Sequence, residues 1–124
     1  MLRINTYDNP SFRMKNNKAA AQKALEKTAP ELKQEIYRGI NAFCDATQRK
    51  GIKGMVQLNK LVTKDVPNIN NPRNVIKENH LFFSMKPDRA QKPTHFEICM
   101  PENEKNYASE LKKLLNNCID YLIN

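Results

Sequence analysis

Residues 80–100, HLFFSMKPDRAQKPTHFEICM, carry both histidines of the chain and its clearest β pattern. Leu81, Phe83 and Met85 share one face of an extended segment, and Phe96, Ile98 and Met100 share one face of another. The segment between them, PDRAQKPT, is polar and bounded by prolines, as a turn requires. The spacing predicts an antiparallel hairpin with strands over 80–86 and 94–100. Opposing the apolar faces gives the pairs 81/100, 83/98 and 85/96. In that register His95 faces Lys86, Ser84 faces Glu97 and Phe82 faces Cys99, while His80 lies near residue 101. Both histidines then occupy the more polar face, at levels about 20 Å apart. That separation is too large for a shared acid–base step or a shared metal ion. The tip gathers Lys86, Arg89, Lys92 and His95, a set suited to phosphate contact or to an acidic surface.

Downstream, PENEKNYASELKKLLNNCIDYLI reads as a long amphipathic helix. Tyr107, Leu111, Leu114, Leu115, Cys118, Ile119 and Leu122 form its apolar stripe, and Glu102 and Glu104 suit its N-terminal end. This stripe serves either the core of the monomer or a homodimer interface, and covering the hairpin favours the core.

Upstream, TAPELKQEIYRGINAFCDATQRKG carries the other clear helix. Leu32, Ile36, Ile40, Phe43, Cys44 and Thr47 recur at spacings of three and four. Thr28 and Glu31 have the spacing of a capping box, Pro30 suits the first turn, and Arg49, Lys50 and Gly51 suit the C-terminus. NNKAAAQKALEKTA, from residue 17 to 28, has helix propensity but a thin apolar face. LRINTY, residues 2–7, alternates like a short edge strand or ordered arm, and DNPS follows as a turn.

Between the long helix and the hairpin, IKGMVQLNKLVTKD is expected to be helical over 52–63. Met55, Leu58, Leu61 and Val62 would face inward. Lys53, Gln57, Lys60 and Lys64 would form a basic outer stripe, with no acid between Asp45 and Asp65. VPNINNPRN is turn-rich, and PRNVIKEN is expected to add a short helix offering Arg73, Asn74 and Lys77. The fold class expected is therefore α+β: three to four helices, one antiparallel β-hairpin and a long C-terminal helix. Residues 1–16 would be an N-terminal arm or edge strand and 17–124 a single compact domain.

The formal charge is +8, from 21 Lys and Arg against 13 Asp and Glu in 124 residues. It points to nucleic acid or an acidic protein surface as partner. Cys44, Cys99 and Cys118 stand far apart among apolar neighbours without a CxxC pair, as buried free thiols in a reducing compartment would. The first residues contain no long apolar stretch, so the expectation is a cytoplasmic protein, or one secreted without a classical signal peptide. No phosphate-binding glycine loop, HExxH or Ser–His–Asp grouping is present, so no catalytic residue, metal or cofactor is assigned.

Two families offer comparisons. Helices 30–50, 52–63 and 72–79 followed by the hairpin look like the order of a winged helix-turn-helix protein, with 87–93 as wing tip. That resemblance implies DNA contact by Arg73, Asn74 and Lys77. Gly51, Ile52, Lys53 and Gly54 form a GxxG that resembles the KH-domain loop, which implies a clamp on a single-stranded backbone. The function expected is a non-enzymatic binding module that contacts nucleic acid through Lys53, Gln57, Lys60, Lys64, Arg73, Lys77, Lys86, Arg89, Lys92 and His95. The alternatives are an interaction adaptor, inhibitor or secreted effector domain, and a small ribonuclease-like enzyme.

Overall fold

The computed structural model describes residues 13–123, so the expectations for LRINTY and DNPS lie outside the described residues. The long helix, α2, spans Pro30–Lys50 and buries Ile36, Gly39, Ile40, Phe43, Cys44 and Thr47. Its stripe is the one the periodicity predicts, with Leu32 packed against the core from its margin. Gly51 ends it in the left-handed conformation at φ 68°, where its N–H bonds back to the last turn. The expected capping box does not form. Ala29 is the N-cap and no side chain caps the helix. A shorter helix, α1 (Lys18–Ala24), precedes it, and there Asn17 caps by accepting from the Ala20 N–H.

After Gly51 the chain departs from expectation. Residues 52–63 are not a helix: Gly54–Pro67 forms a 14-residue strand, β2. The apolar spacing that suggested a helix has another cause. Val56 and Leu58 point into the core, then the pairing register shifts between Leu58 and Lys60, leaving Asn59 as an extra residue. Beyond this bulge Leu61, not Lys60, points inward. The three-residue step from Leu58 to Leu61 imitates a helical stripe, but Met55 and Val62, expected inward with them, lie on the opposite face of the sheet, and the β-branched Val56, Val62, Thr63 and Val66 favour extended backbone.

VIKEN is not helical either. It opens β3 (Val75–Pro87), which pairs antiparallel with β2 along its whole length. The last strand, β4, spans Thr94–Pro101. The hairpin of β3 and β4 forms, but two residues out of the expected register: Leu81 pairs with Ile98, Phe83 with Phe96 and Met85 with Thr94. A two-residue slip leaves every side chain on its expected face, because the strand period is two. The turn sets the register instead. Ala90 N–H bonds to Pro87 C=O at 2.9 Å, and Asp88 N–H bonds to Lys53 C=O at 3.0 Å.

Met14–Asn16 forms β1, which pairs in parallel with the start of β2. The sheet therefore has four strands in the order β1-β2-β3-β4 and is mixed, not a lone antiparallel hairpin. With α3 (Tyr107–Ile123), the described residues hold three helices. The α+β class holds. The two extra helices at 52–63 and 72–79 do not, and with them fall the winged-helix order and the placing of the GxxG between two helices.

Leu111, Leu115 and Ile119 of α3 join Ile36, Ile40 and Phe43 of α2 and the inward side chains of β2, β3 and β4 in one apolar core. Ala21 and Leu25 reach the same core. The helices thus lie on one face of the sheet, and the other face has no helix over it among the described residues. No described helix is long and apolar enough to cross a membrane.

Candidate functional site on the open sheet face

The uncovered face is laid out in rows across the strands. Lys15, Met55 and Lys86 form one row, and Gln57, Ser84 and His95 the next. Lys60, Phe82 and Glu97 follow, then Val62, His80 and Cys99, and finally Lys64, Glu78 and Pro101. Each side chain here alternates with a core residue of the same strand.

Lys60 Nζ sits 4.9 Å from the centre of the Phe82 ring, a cation–π contact in the middle of the face. Beside it runs a chain of amide and hydroxyl groups. Asn17 Nδ2 donates to Gln57 Oε1 at 2.9 Å, Gln57 Nε2 to Asn59 Oδ1 at 2.6 Å, and Asn59 Nδ2 to Ser84 Oγ at 3.3 Å. The bulge residue Asn59 is what brings the last two groups together.

On the β4 side of the face, His80 is held by acids. Its Nδ1 lies 2.6 Å from Glu97 Oε2, and its Nε2 lies 3.0 Å from Glu78 Oε1. Cys99 Sγ stands 3.3 Å from the same Nδ1 and 3.8 Å from Glu97 Oε2. The hydrogen bond from His80 holds the Glu97 carboxyl below the usual carboxylate range, helped by the charges of His80 and Lys64. Desolvation, with the nearby Glu97 and Glu78 carboxylates, pushes the Cys99 thiol up. Cys99 is therefore a protonated thiol at neutral pH, not an activated nucleophile.

The ten basic and polar residues singled out in the sequence do not form one patch. Gln57, Lys60, Lys64, Lys86 and His95 share the open face. Lys53 and Arg89 lie at the sheet's end, where with Lys50 they line a cleft of about 470 Å³ between the Gly51–Lys53 turn and the β3–β4 turn. Lys92 is exposed on the β3–β4 turn. Arg73 lies in the β2–β3 loop at the far end of the long strand pair, about 40 Å from Lys53 by strand rise. Lys77 pairs with Asp65 on the helix-side face, away from the others. The basic stripe Lys53, Gln57, Lys60, Lys64 therefore does not exist as a helix face. The bulge, together with the change from helix to strand, leaves its last three members on the open face.

A larger cavity, about 790 Å³, opens on the helix side near Leu61 and Tyr107. Glu26, Glu31, Glu35, Glu102 and Glu104 line it against Lys23 and Lys27. Its wall holds a polar chain in which Thr63 Oγ1 donates to Asn79 Oδ1 at 2.8 Å and Asn79 Nδ2 to Tyr107 Oη at 3.1 Å. Acidic side chains thus outnumber lysines at this cavity, whereas on the open face Lys15, Lys60, Lys64 and Lys86 outnumber Glu78 and Glu97.

Sequence reading missed Lys15 and Phe82 as members of this surface, and Glu78, Glu97 and Cys99 as neighbours of His80. Phe82 was legible as the one aromatic on the polar side of its strand. The acidic group was not, because it depends on the register and on residue 78 being extended. Comparison of the chain with protein-family models, with curated proteins and with solved structures finds no match.

Proposed function

We propose that the protein binds single-stranded nucleic acid on the open face of its sheet. One observation carries this reading: a β surface with no helix over it among the described residues, Phe82 at its centre and Lys15, Lys60, Lys64 and Lys86 around it. Phe82 offers a ring for base stacking, and the lysines offer phosphate contacts. The Lys53–Arg89 cleft lies beside the Lys86 end and extends the basic surface. Glu78 and Glu97 oppose an anion on the β4 side, so the strand path favoured runs over β1, β2 and the first half of the face. A stacking platform on a sheet suits unpaired bases better than a duplex, whose bases are already stacked.

The test is a fluorescence anisotropy titration with single-stranded RNA, single-stranded DNA and duplex DNA at two salt concentrations. Tighter binding of the single strands, weakening as salt rises, supports the reading. Equal binding of all three at low salt, lost together at higher salt, reduces it to non-specific attraction. No binding at low salt ends it. An acidic protein partner would meet the same lysines without needing the Phe82 ring, so Phe82→Ala separates the two readings.

A further inference from the structure

We propose that His80, Glu97 and Cys99 form a binding site for a zinc-class divalent ion, with Glu78 as the residue that orients the imidazole. The three ligand atoms already converge. His80 Nδ1, Cys99 Sγ and Glu97 Oε2 are 2.6, 3.3 and 3.8 Å apart, pair by pair. Ligand atoms of a tetrahedral zinc ion stand about 3.5 Å from one another, given bonds of about 2.0–2.3 Å. The side chains therefore need only small shifts to admit an ion, and no backbone movement.

The backbone explains why they meet. His80 and Cys99 are a cross-strand pair, Glu97 is one step along β4 on the same face, and Glu78 one step along β3. A carboxylate oxygen of Glu78 belongs to the same cluster, within 4.8 Å of ligand atoms of His80 and Cys99. Glu78 meets the other ring nitrogen, Nε2, at 3.0 Å. Nε2 is closed to solvent and makes no hydrogen bond as it stands, the Glu78 approach being an ion-pair contact. With Nδ1 given to a metal, Nε2 carries the proton and Glu78 accepts it, which fixes the tautomer and the ring.

The donor set selects the ion. One thiolate and one imidazole favour zinc over magnesium or calcium, which take oxygen ligands. The thiol proton leaves to solvent as the ion binds. Two carboxylates and a thiolate then balance the dication and the Lys64 ammonium, which stands opposite Glu78. Cys99 and Glu97 are exposed, so the ion has an entry path, and three protein ligands leave a fourth position for water. The site lies next to the proposed nucleic-acid surface but does not depend on it.

The experiment is a cobalt(II) titration of the tag-free full chain, followed by displacement with zinc. The expected result is one equivalent bound, with a thiolate-to-cobalt charge-transfer band that zinc removes. Cys99→Ser abolishes the band, and His80→Ala weakens binding roughly 100-fold or more. Glu78→Gln keeps the band but weakens binding roughly tenfold or more. Cys118→Ser leaves both unchanged. Far-ultraviolet circular dichroism of each variant confirms that it folds; Cys99 is exposed, so its serine variant keeps the core intact. Failure to bind cobalt or zinc at millimolar metal overturns the site, as does a band that survives Cys99→Ser. Loss of nucleic-acid binding, by contrast, leaves the site standing.

Discussion

His80 and Cys99 face each other across β3 and β4, with Nδ1 and Sγ 3.3 Å apart. His95, the other histidine, pairs with Ser84, four residues of strand away or about 13 Å. The histidines are therefore no catalytic couple. One is an open-face residue near Lys86, and the other belongs to a cluster of two carboxylates and a thiol.

If the open face binds a single strand, Phe82→Ala removes its stacking platform. The expected loss is about 1–3 kcal/mol of binding free energy, seen as a weaker Kd for RNA at fixed salt. Replacing Lys60, Lys64 and Lys86 by Gln lowers the salt slope by about 1 for each phosphate contact removed. Lys77→Gln lies on the other face and leaves Kd unchanged within error.

Gly39 marks the closest approach of α2 to α3. A β-carbon there would stand 2.9 Å from Leu111 Cδ2 and 3.0 Å from the Ala108 carbonyl oxygen. Part of that contact is backbone, so relief requires moving a helix. Gly39→Ala gains about 1 kcal/mol of helix propensity but overpacks the contact at about 1–3 kcal/mol. The expected outcome is a lower urea midpoint with an unchanged slope.

The Thr63–Asn79–Tyr107 chain gives an ordered pair of expectations. Asn79 is fully buried and Tyr107 is 2% exposed. Tyr107→Phe leaves the Asn79 amide without its acceptor in the interior, which costs about 1–3 kcal/mol. Thr63→Val removes a donor from an exposed residue and costs less. Urea unfolding of both variants checks the order, and a larger loss for Thr63→Val would refute the assigned roles.

Burial pushes the Cys44 thiol up to about 11 from 9.0. The folded chain thus holds this proton more tightly than the unfolded one. The stabilisation it gives is complete below pH 9 and is lost as pH rises through 11, about 2–3 kcal/mol in all. Cys44→Ala should flatten that part of the stability profile. At pH 8 a thiol reagent should modify Cys99 first and Cys44 only on unfolding, since Cys99 is exposed and Cys44 buried.

The two amphipathic helices α2 and α3 were legible residue by residue. Ile36, Ile40, Phe43, Tyr107, Leu111, Leu115 and Ile119 repeat at helical spacing, and burial follows that spacing directly. The faces of β3 and β4 were legible for the same reason, since alternation alone separates Phe83 from Phe82. The sequence reading failed at β2, where one bulge residue, Asn59, broke the alternation and made a strand look helical.

What the sequence by itself determined, then, is the buried side of α2, α3, β3 and β4, because hydrophobic periodicity is a local property; at β2 the bulge hid it. The tertiary structure decided which polar side chains meet. A hairpin can slip by two residues without exposing an apolar group, so burial does not distinguish His80 opposite Cys99 from His80 opposite residue 101. The Pro87–Ala90 turn and the long pairing with β2 choose between them. That choice brings Glu78, Glu97 and Cys99 to His80, and leaves the lysines of β2 and β3 around Phe82.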